Sequence, residues 1–95
     1  MALFISLVQV RDRDVNNVQD LATIWGELKL EIEEFDASLE DTYAILGDYD
    51  FVVVFDAADR NEAFKVALAS ERHGLDMQTM EAIPTSDFGQ LVEDI

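Results

Sequence analysis

Two short segments of this chain are almost wholly apolar, and charged residues follow each of them. Leu3–Val10 is interrupted only by Ser6 and Gln9, and Asp50–Ala57 contains five consecutive apolar residues. Runs of this length predict β-strands that are buried on both faces. Two further segments mix apolar and polar residues, Leu39–Leu46 and Leu75–Ile83. Their alternation predicts half-exposed strands, which belong at the edges of a sheet.

Between the first two strands, apolar residues recur at steps of three and four, which predicts an amphipathic helix. The stripe consists of Val15, Val18, Leu21, Ala22, Trp25, Leu28, Ile32 and Phe35. Asn16, Asn17 and Asp20 are all side chains that favour a helix N-cap, so the start of this helix stays open among them.

Asp59 and Glu62 have the spacing of a capping box, which predicts a second helix after the third strand. Its apolar residues Phe64, Ala67 and Leu68 fall on one face, and Gly74 is placed to end it as the C′ residue. A third helix is expected after Pro84, capped by Thr85 or Ser86. Its apolar residues are Phe88, Leu91, Val92 and Ile95.

The resulting order is β-α-β-β-α-β with an additional C-terminal helix. With right-handed crossovers and a hairpin between the second and third strands, this order predicts an α+β, ferredoxin-like antiparallel sheet. The first and third strands are central in that topology, and they are the two apolar runs. No linker or repeat divides the chain, so residues 1–95 are expected to form one domain.

In this topology both helices cover one face of the sheet, while apolar residues of the central strands also point to the other face. A second copy is the economical cover, because a monomer would expose an extended apolar patch. We therefore expect a homodimer of the α+β-barrel type, with the terminal helix sealing an edge and about 800 Å² or more buried per subunit.

Charge limits the possible partners. Twenty-one acidic residues stand against six basic ones, for a net charge of −15. Nucleic-acid binding is disfavoured because phosphate contacts require clustered Lys and Arg. The acids are scattered, which favours adaptation to a high-salt cytoplasm over a dedicated basic partner. A calcium site is the weakest interpretation, because the ligand spacing of a calcium loop is missing.

The chemistry of the side chains excludes several kinds of site. The chain has no cysteine, and His73 is its single histidine, so thiol chemistry and multi-histidine metal sites are excluded. No phosphate loop or nucleophile–base–acid set is found, and we expect no cofactor. No segment is long enough to span a membrane, and the N-terminal residues do not resemble a signal peptide, so we expect a cytoplasmic protein without membrane contact.

Gly47-Asp48-Tyr49-Asp50, between the second and third strands, permits two interpretations. As a hairpin turn, Gly47 supplies a positive φ, Tyr49 packs on the sheet edge and Asp50 bonds the turn backbone. As a site, Tyr49 donates a proton, Asp50 acts as a base or orients a ligand, and His73 is a further acid–base candidate. The residue types favour the turn interpretation. For His73, the role of a helix cap is likewise favoured over that of an acid or base.

Aromatic residues supply the candidates for ligand contact. Trp25, Tyr43 and Tyr49 are candidates to line a pocket near the sheet and its helices. Core packing is the simpler role for Trp25, and cross-strand packing is the simpler role for the two tyrosines.

Three segments together resemble the GYD domain family: "ISLVQV", "YAILGDYDFVVVFDAAD" and "MEAIPTSDFGQLVEDI". The family is named for a Gly-x-Tyr-Asp element, which Gly47, Tyr49 and Asp50 match. A Lys-Asp-Ser-Pro-like segment common in the family is replaced here by Val18–Ala22. The resemblance implies a ferredoxin-like, dimeric α+β barrel and no established activity.

From these observations we expect a small-molecule-binding or regulatory homodimer. One alternative is a cofactor-independent oxygenase or isomerase of the dimeric-barrel type, using Tyr49, Asp50 and His73. The other is a protein-interaction module.

Overall fold

A computed structural model describes residues 2–11 and 18–95 of the chain. The strands are β1 (Ala2–Val10), β2 (Ala37–Ala44), β3 (Phe51–Ala57) and β4 (Leu75–Ala82). The helices are α1 (Val18–Glu33), α2 (Arg60–Arg72) and α3 (Thr85–Asp94). The predicted order β-α-β-β-α-β with a terminal helix is therefore confirmed.

The four strands form one antiparallel sheet in the order β2-β3-β1-β4. The two apolar strands, β1 and β3, are central, and the mixed strands β2 and β4 lie at the edges. This arrangement confirms the predicted α+β, ferredoxin-like fold. The apolar strands are central because a strand that is apolar on both faces is most stable where neighbouring strands flank it on both sides.

Alternate residues of the central strands point toward α1 and α2 and form the core. The buried residues of β1 and β3 are Phe4, Ser6, Val8, Val53, Phe55 and Ala57. Leu28 and Ile32 of α1 pack in the same core cluster. The rings of Phe4 and Phe55 stack with centroids 5.3 Å apart. The buried Ser6 hydroxyl is satisfied by the Thr79 hydroxyl of β4, at 2.8 Å.

The ends of α2 follow the predicted capping. Asp59 is the N-cap, and its carboxylate accepts a hydrogen bond from the Glu62 backbone nitrogen at 3.0 Å. Gly74 follows the helix with a φ of 81°, a conformation that glycine adopts without strain. The predicted positions of Asp59 and Gly74 are confirmed, but the capping box is only half formed, because the Glu62 carboxylate accepts from Lys65 and not from the Asp59 backbone nitrogen.

The buried side of α2 differs from the predicted stripe. Ala63, Val66, Ala69 and Ser70 are its buried residues. Phe64 and Leu68 are instead 60% and 58% exposed. Small side chains let the helix approach the sheet closely, and that approach leaves the larger side chains on the flank of the helix.

The caps predicted for the other two helices are not confirmed. Asn16 and Asn17 lie outside the described residues, and Asp20 lies inside α1 rather than before it. Pro84, not Thr85 or Ser86, is the N-cap of α3, with no side-chain hydrogen bond to the helix end. The fixed φ of proline suits the entry to a helix without such a bond.

Strand β2 begins at Ala37 and ends at Ala44, earlier than the predicted Leu39–Leu46. A register shift between Leu39 and Asp41 changes which residues share a face. Asp41 and Tyr43 therefore lie on the side of the sheet opposite the helices. A bulge of this kind inserts one residue into the strand and cannot be read from simple alternation.

The side of the sheet away from α1 and α2 is here called the open face. Its apolar centre consists of Leu3, Ile5, Leu7, Val52, Val54 and Met80, which the strand register places together. Acidic residues flank this centre at Asp41, Asp56 and Asp76. The two helices of the core layer leave this surface uncovered.

No residue of α3 is buried. Its apolar residues Phe88, Leu91 and Val92 are 59%, 54% and 52% exposed. The helix itself forms as predicted, and its sealing of an edge in a dimer stays a prediction.

Candidate functional site

The Gly47–Asp50 segment joins β2 to β3 and is closed by a backbone hydrogen bond. The Ile45 nitrogen donates to the Asp50 carbonyl at 3.0 Å. Gly47 has a φ of 123°, as expected for a turn that needs a glycine. The side-chain amide of Gln9 in β1 donates to the Asp48 carbonyl at 2.6 Å, which attaches the connection to the neighbouring strand.

Asp50 bonds β1 through both its backbone and its side chain. Its backbone nitrogen donates to the Val8 carbonyl at 2.8 Å. Its Oδ2 accepts a hydrogen bond from the Val10 nitrogen, also at 2.8 Å. The prediction that this carboxylate bonds the turn backbone is wrong, because its partner is the Val10 nitrogen at the end of β1. The carboxylate thus continues the β1–β3 ladder beyond the last paired residue.

Tyr49 reaches from the connection to the far edge of the sheet. Its hydroxyl donates to Oε1 of Gln78 in β4 at 2.9 Å, so the side chain crosses β1 on the open face. Tyr43 lies on the same face and is 54% exposed. The register places Tyr43, Val52, Leu7 and Gln78 in one row across the four strands. The two tyrosines therefore share a surface.

Trp25 lies on the other side of the sheet, within the helix layer. Its ring meets Phe51 edge-on, with centroids 5.1 Å apart and planes at 74°. It packs against the core cluster, as the simpler interpretation expected. The three aromatic candidates are thus divided by the sheet and do not line one pocket.

His73 caps the C-terminal end of α2 and bridges to α1. Its Nε2 lies 3.0 Å from Oε2 of Glu31, and its Nδ1 lies 3.9 Å from a carboxylate oxygen of Glu27. Arg72 also pairs with Glu31. These contacts hold the ends of the two helices together on the helix side of the sheet.

The three acid–base candidates consequently have different partners in different places. Tyr49 bonds Gln78 on the open face, Asp50 bonds the end of β1, and His73 bonds Glu31 in the helix layer. Within the described part of the chain, no three Asp, Glu or His side chains group as a metal site would require.

A cleft of about 170 Å³ lies between α2 and β4. It is lined by Phe4, Arg60, Ala63, Phe64, Ala67, Thr79 and Glu81. Its floor is apolar, and its mouth carries one basic residue, Arg60, and one acidic residue, Glu81. None of these residues is among the site candidates predicted from the sequence. The one local signal was Phe64, a large apolar residue on the exposed flank of a helix whose buried residues are small.

The volume of this cleft limits the size of a ligand. It equals roughly five to six times the ~30 Å³ that a water molecule occupies in the liquid. Pockets for drug-sized ligands are several hundred Å³. The cleft therefore suits a small metabolite with an apolar part and one or two polar groups.

With the fold and these sites established, comparison with known proteins identifies the family. The model of the GYD domain matches residues 4–92, which is nearly the whole chain. The chain belongs to the GYD family. A search of curated proteins finds no match. The GYD element itself, at Gly47, Tyr49 and Asp50, forms the β2–β3 connection and its attachments to β1 and β4.

Among the described residues of this GYD domain, no helix is long and apolar enough to cross a membrane.

Proposed function

We propose that this GYD-family chain is a small-molecule-binding, regulatory homodimer. One observation carries the binding part of the proposal, the cleft between α2 and β4 with its apolar floor and charged mouth. A regulatory role needs only reversible binding coupled to the state of the dimer. The alternative of a cofactor-independent oxygenase or isomerase gains no support, because Tyr49, Asp50 and His73 do not converge on one point.

The homodimer is supported by two uncovered apolar surfaces on the same chain. The open face has an apolar centre, and α3 has an apolar stripe that touches no core. In a twofold dimer the same surface of both subunits forms the interface, so every contact occurs twice. One partner can therefore cover both the bare sheet face and the free amphipathic helix of a chain. We infer that the partner is a second copy, with the two open faces in contact.

Adaptation to high salt belongs to the same proposal. Exposed acidic residues occur on all three helices and on both edge strands, for example Glu33, Asp41, Glu71, Asp76 and Asp94. A dispersed negative surface repels itself at low salt and is screened at molar salt, where the Debye length is about 3 Å. Cytoplasmic residence remains a prediction, which cell fractionation of the host would test.

Binding is tested by screening small metabolites against the protein in molar KCl, with amide NMR spectra as the readout. We expect ligands to shift the amide signals of Ala63 and Ala67, which line the cleft. Ala67→Phe fills the cleft and should abolish these shifts. Ala22→Phe makes the same change at an exposed position of α1 and should leave them intact. A screen without any ligand that shifts the cleft signals would refute the binding proposal.

The dimer is tested by sedimentation in the same buffer. Ile5 lies at the centre of the open face, paired with Val54 and Met80, so Ile5→Lys should produce monomers. Leu30→Lys introduces the same charge on α1, where the side chain is already 68% exposed, and should leave the dimer intact. A wild-type protein that sediments as a monomer, or only with a different protein, would contradict the homodimer and favour the interaction-module alternative.

A further inference from the structure

The two charged residues at the mouth of the cleft are both without an ion-pair partner among the described residues. Arg60 is the first residue of α2, and Glu81 lies in β4 opposite Phe4 of β1. By contrast, the described Arg11, Lys65 and Arg72 each pair with a carboxylate. Lys29 is also unpaired among the described residues, but it lies outside the cleft, whereas Arg60 and Glu81 are unpaired charges of opposite sign that line the same cavity.

Between these charges the cleft offers an apolar surface. Phe4 is 7% exposed and stacks on Phe55 in the core, so its position is fixed by packing. Ala63 and Ala67 leave room above it, because their side chains are a single methyl group. The exposed ring of Phe64 forms the outer wall. The floor and wall therefore suit a branched or linear aliphatic group.

We propose that this cleft binds an α-amino acid with an apolar side chain. The ligand carboxylate pairs with Arg60, its ammonium group pairs with Glu81, and its side chain lies between Phe4 and Phe64. This inference rests on the proposed function and names the ligand class of the same site. It accounts for the presence of both unpaired charges beside one apolar surface.

Electrostatics favour a zwitterion over a singly charged ligand. A simple carboxylate would be repelled by Glu81 and by the negative field of the whole protein. A simple amine would face Arg60 without a negative group to satisfy it. An amino acid has no net charge, so the field neither attracts nor repels it, while each of its charges meets the opposite one. At molar salt the apolar contacts supply most of the affinity, and the two charges supply the selectivity.

The test compares four probes by calorimetry and amide NMR in molar KCl, using the full chain. L-Leucine carries both charges and an apolar side chain. Isocaproate lacks the ammonium group, isoamylamine lacks the carboxylate, and glycine lacks the apolar side chain. We expect leucine to bind most tightly and glycine not to bind measurably.

Two variants and two controls assign the charges. Arg60→Gln and Glu81→Gln should each weaken leucine binding about two- to fivefold, the range expected for one exposed ion pair. Arg60→Gln should leave isoamylamine binding undiminished, and Glu81→Gln should leave isocaproate binding undiminished. Lys29→Gln and Glu40→Gln remove an exposed charge outside the cleft, with no ion pair in the described structure, and should not change leucine binding.

The outcomes separate this inference from the proposed function. If isocaproate or isoamylamine binds the cleft as tightly as leucine, the amino-acid class is wrong while small-molecule binding stands. The same holds if another metabolite from the screen shifts the Ala63 and Ala67 signals and leucine does not. If no small molecule shifts them, both proposals fail. Equal loss of leucine binding in the control variants would also overturn the assignment, because it would show a general effect of charge.

Discussion

Replacing Asp50 by Ala tests whether the GYD element stabilises the fold. The Asp50 carboxylate accepts the Val10 backbone N–H at 2.8 Å in a partly buried position. Hydrogen bonds to charged groups contribute about 1.5–3 kcal/mol. Because Asp50 is only half-buried and the buffer contains molar KCl, we expect a contribution in the lower part of this range, about 1.5–2 kcal/mol. In a domain of this size 1 kcal/mol corresponds to about 4–8 °C, so Tm should fall by about 6–16 °C.

The assay is thermal and urea unfolding in molar KCl at one protein concentration. Urea is preferred to guanidinium chloride because the latter changes the ionic strength, and fixed concentration is needed because dimerisation links stability to concentration. Asp50→Asn keeps a neutral acceptor and should lose about half as much stability as Asp50→Ala. Asp48→Ala is the matched control, since its exposed side chain forms no hydrogen bond with any described residue, and it should have little effect.

Either of two results would refute this reasoning. One is an equal stability of the Asp50→Ala and Asp48→Ala variants, which would show that the bond to Val10 contributes nothing measurable. The other is an Asp50→Ala protein of wild-type stability that no longer binds any ligand found in the screen. The second result would make Asp50 part of a binding site and revive the functional interpretation of the turn.

Four further predictions concern two glycines, the Tyr49 hydroxyl and the surface charge. Gly47→Ala should destabilise the fold by about 1–3 kcal/mol, because alanine is strained at a φ of 123°. The added methyl group meets no described atom within 4 Å, so no steric clash adds to this cost. Gly26→Ala, inside α1 and equally free of contacts, should instead stabilise it by up to about 1 kcal/mol, and urea unfolding compares the two. Tyr49→Phe should cost about 0.5–1.5 kcal/mol in the same assay, the net contribution of an ordinary hydrogen bond, because its bond to Gln78 lies on the face that a second copy is proposed to cover. Tm should rise steadily from low salt to molar KCl, and an unchanged Tm across that range in a melting series would contradict high-salt adaptation.

Much of the fold was predictable from short-range patterns. The apolar runs of β1 and β3 identified the central strands because the predicted topology places the first and third strands between the other two. Asp59 and Gly74 marked the ends of α2 because caps act within a few residues of the helix end. The exact start of β2 was not predictable, since its bulge depends on pairing with β3.

The candidate site was not predictable, because it is assembled from distant parts of the chain. Phe4, Arg60 and Glu81 come from three different elements, and no local pattern links them. Phe64 was assigned to an apolar stripe because its spacing fits a helix, but the structure places small residues beneath the helix and leaves Phe64 beside the cleft. Spacing shows that residues share a helix face without showing what that face contacts.

The GYD element makes contacts that join the β2–β3 connection to the other strands of the sheet. In this chain Gly47 permits the turn, Asp50 extends the pairing of β3 with β1, and Tyr49 reaches across β1 to Gln78. One short segment thereby ties the β2–β3 connection to both of the other strands. The Tyr49 side chain also lies on the open face, where a second copy is proposed to pack. A change in this element should therefore alter dimer stability before it alters ligand affinity, and the reverse order would relocate the binding site from the cleft to the open face.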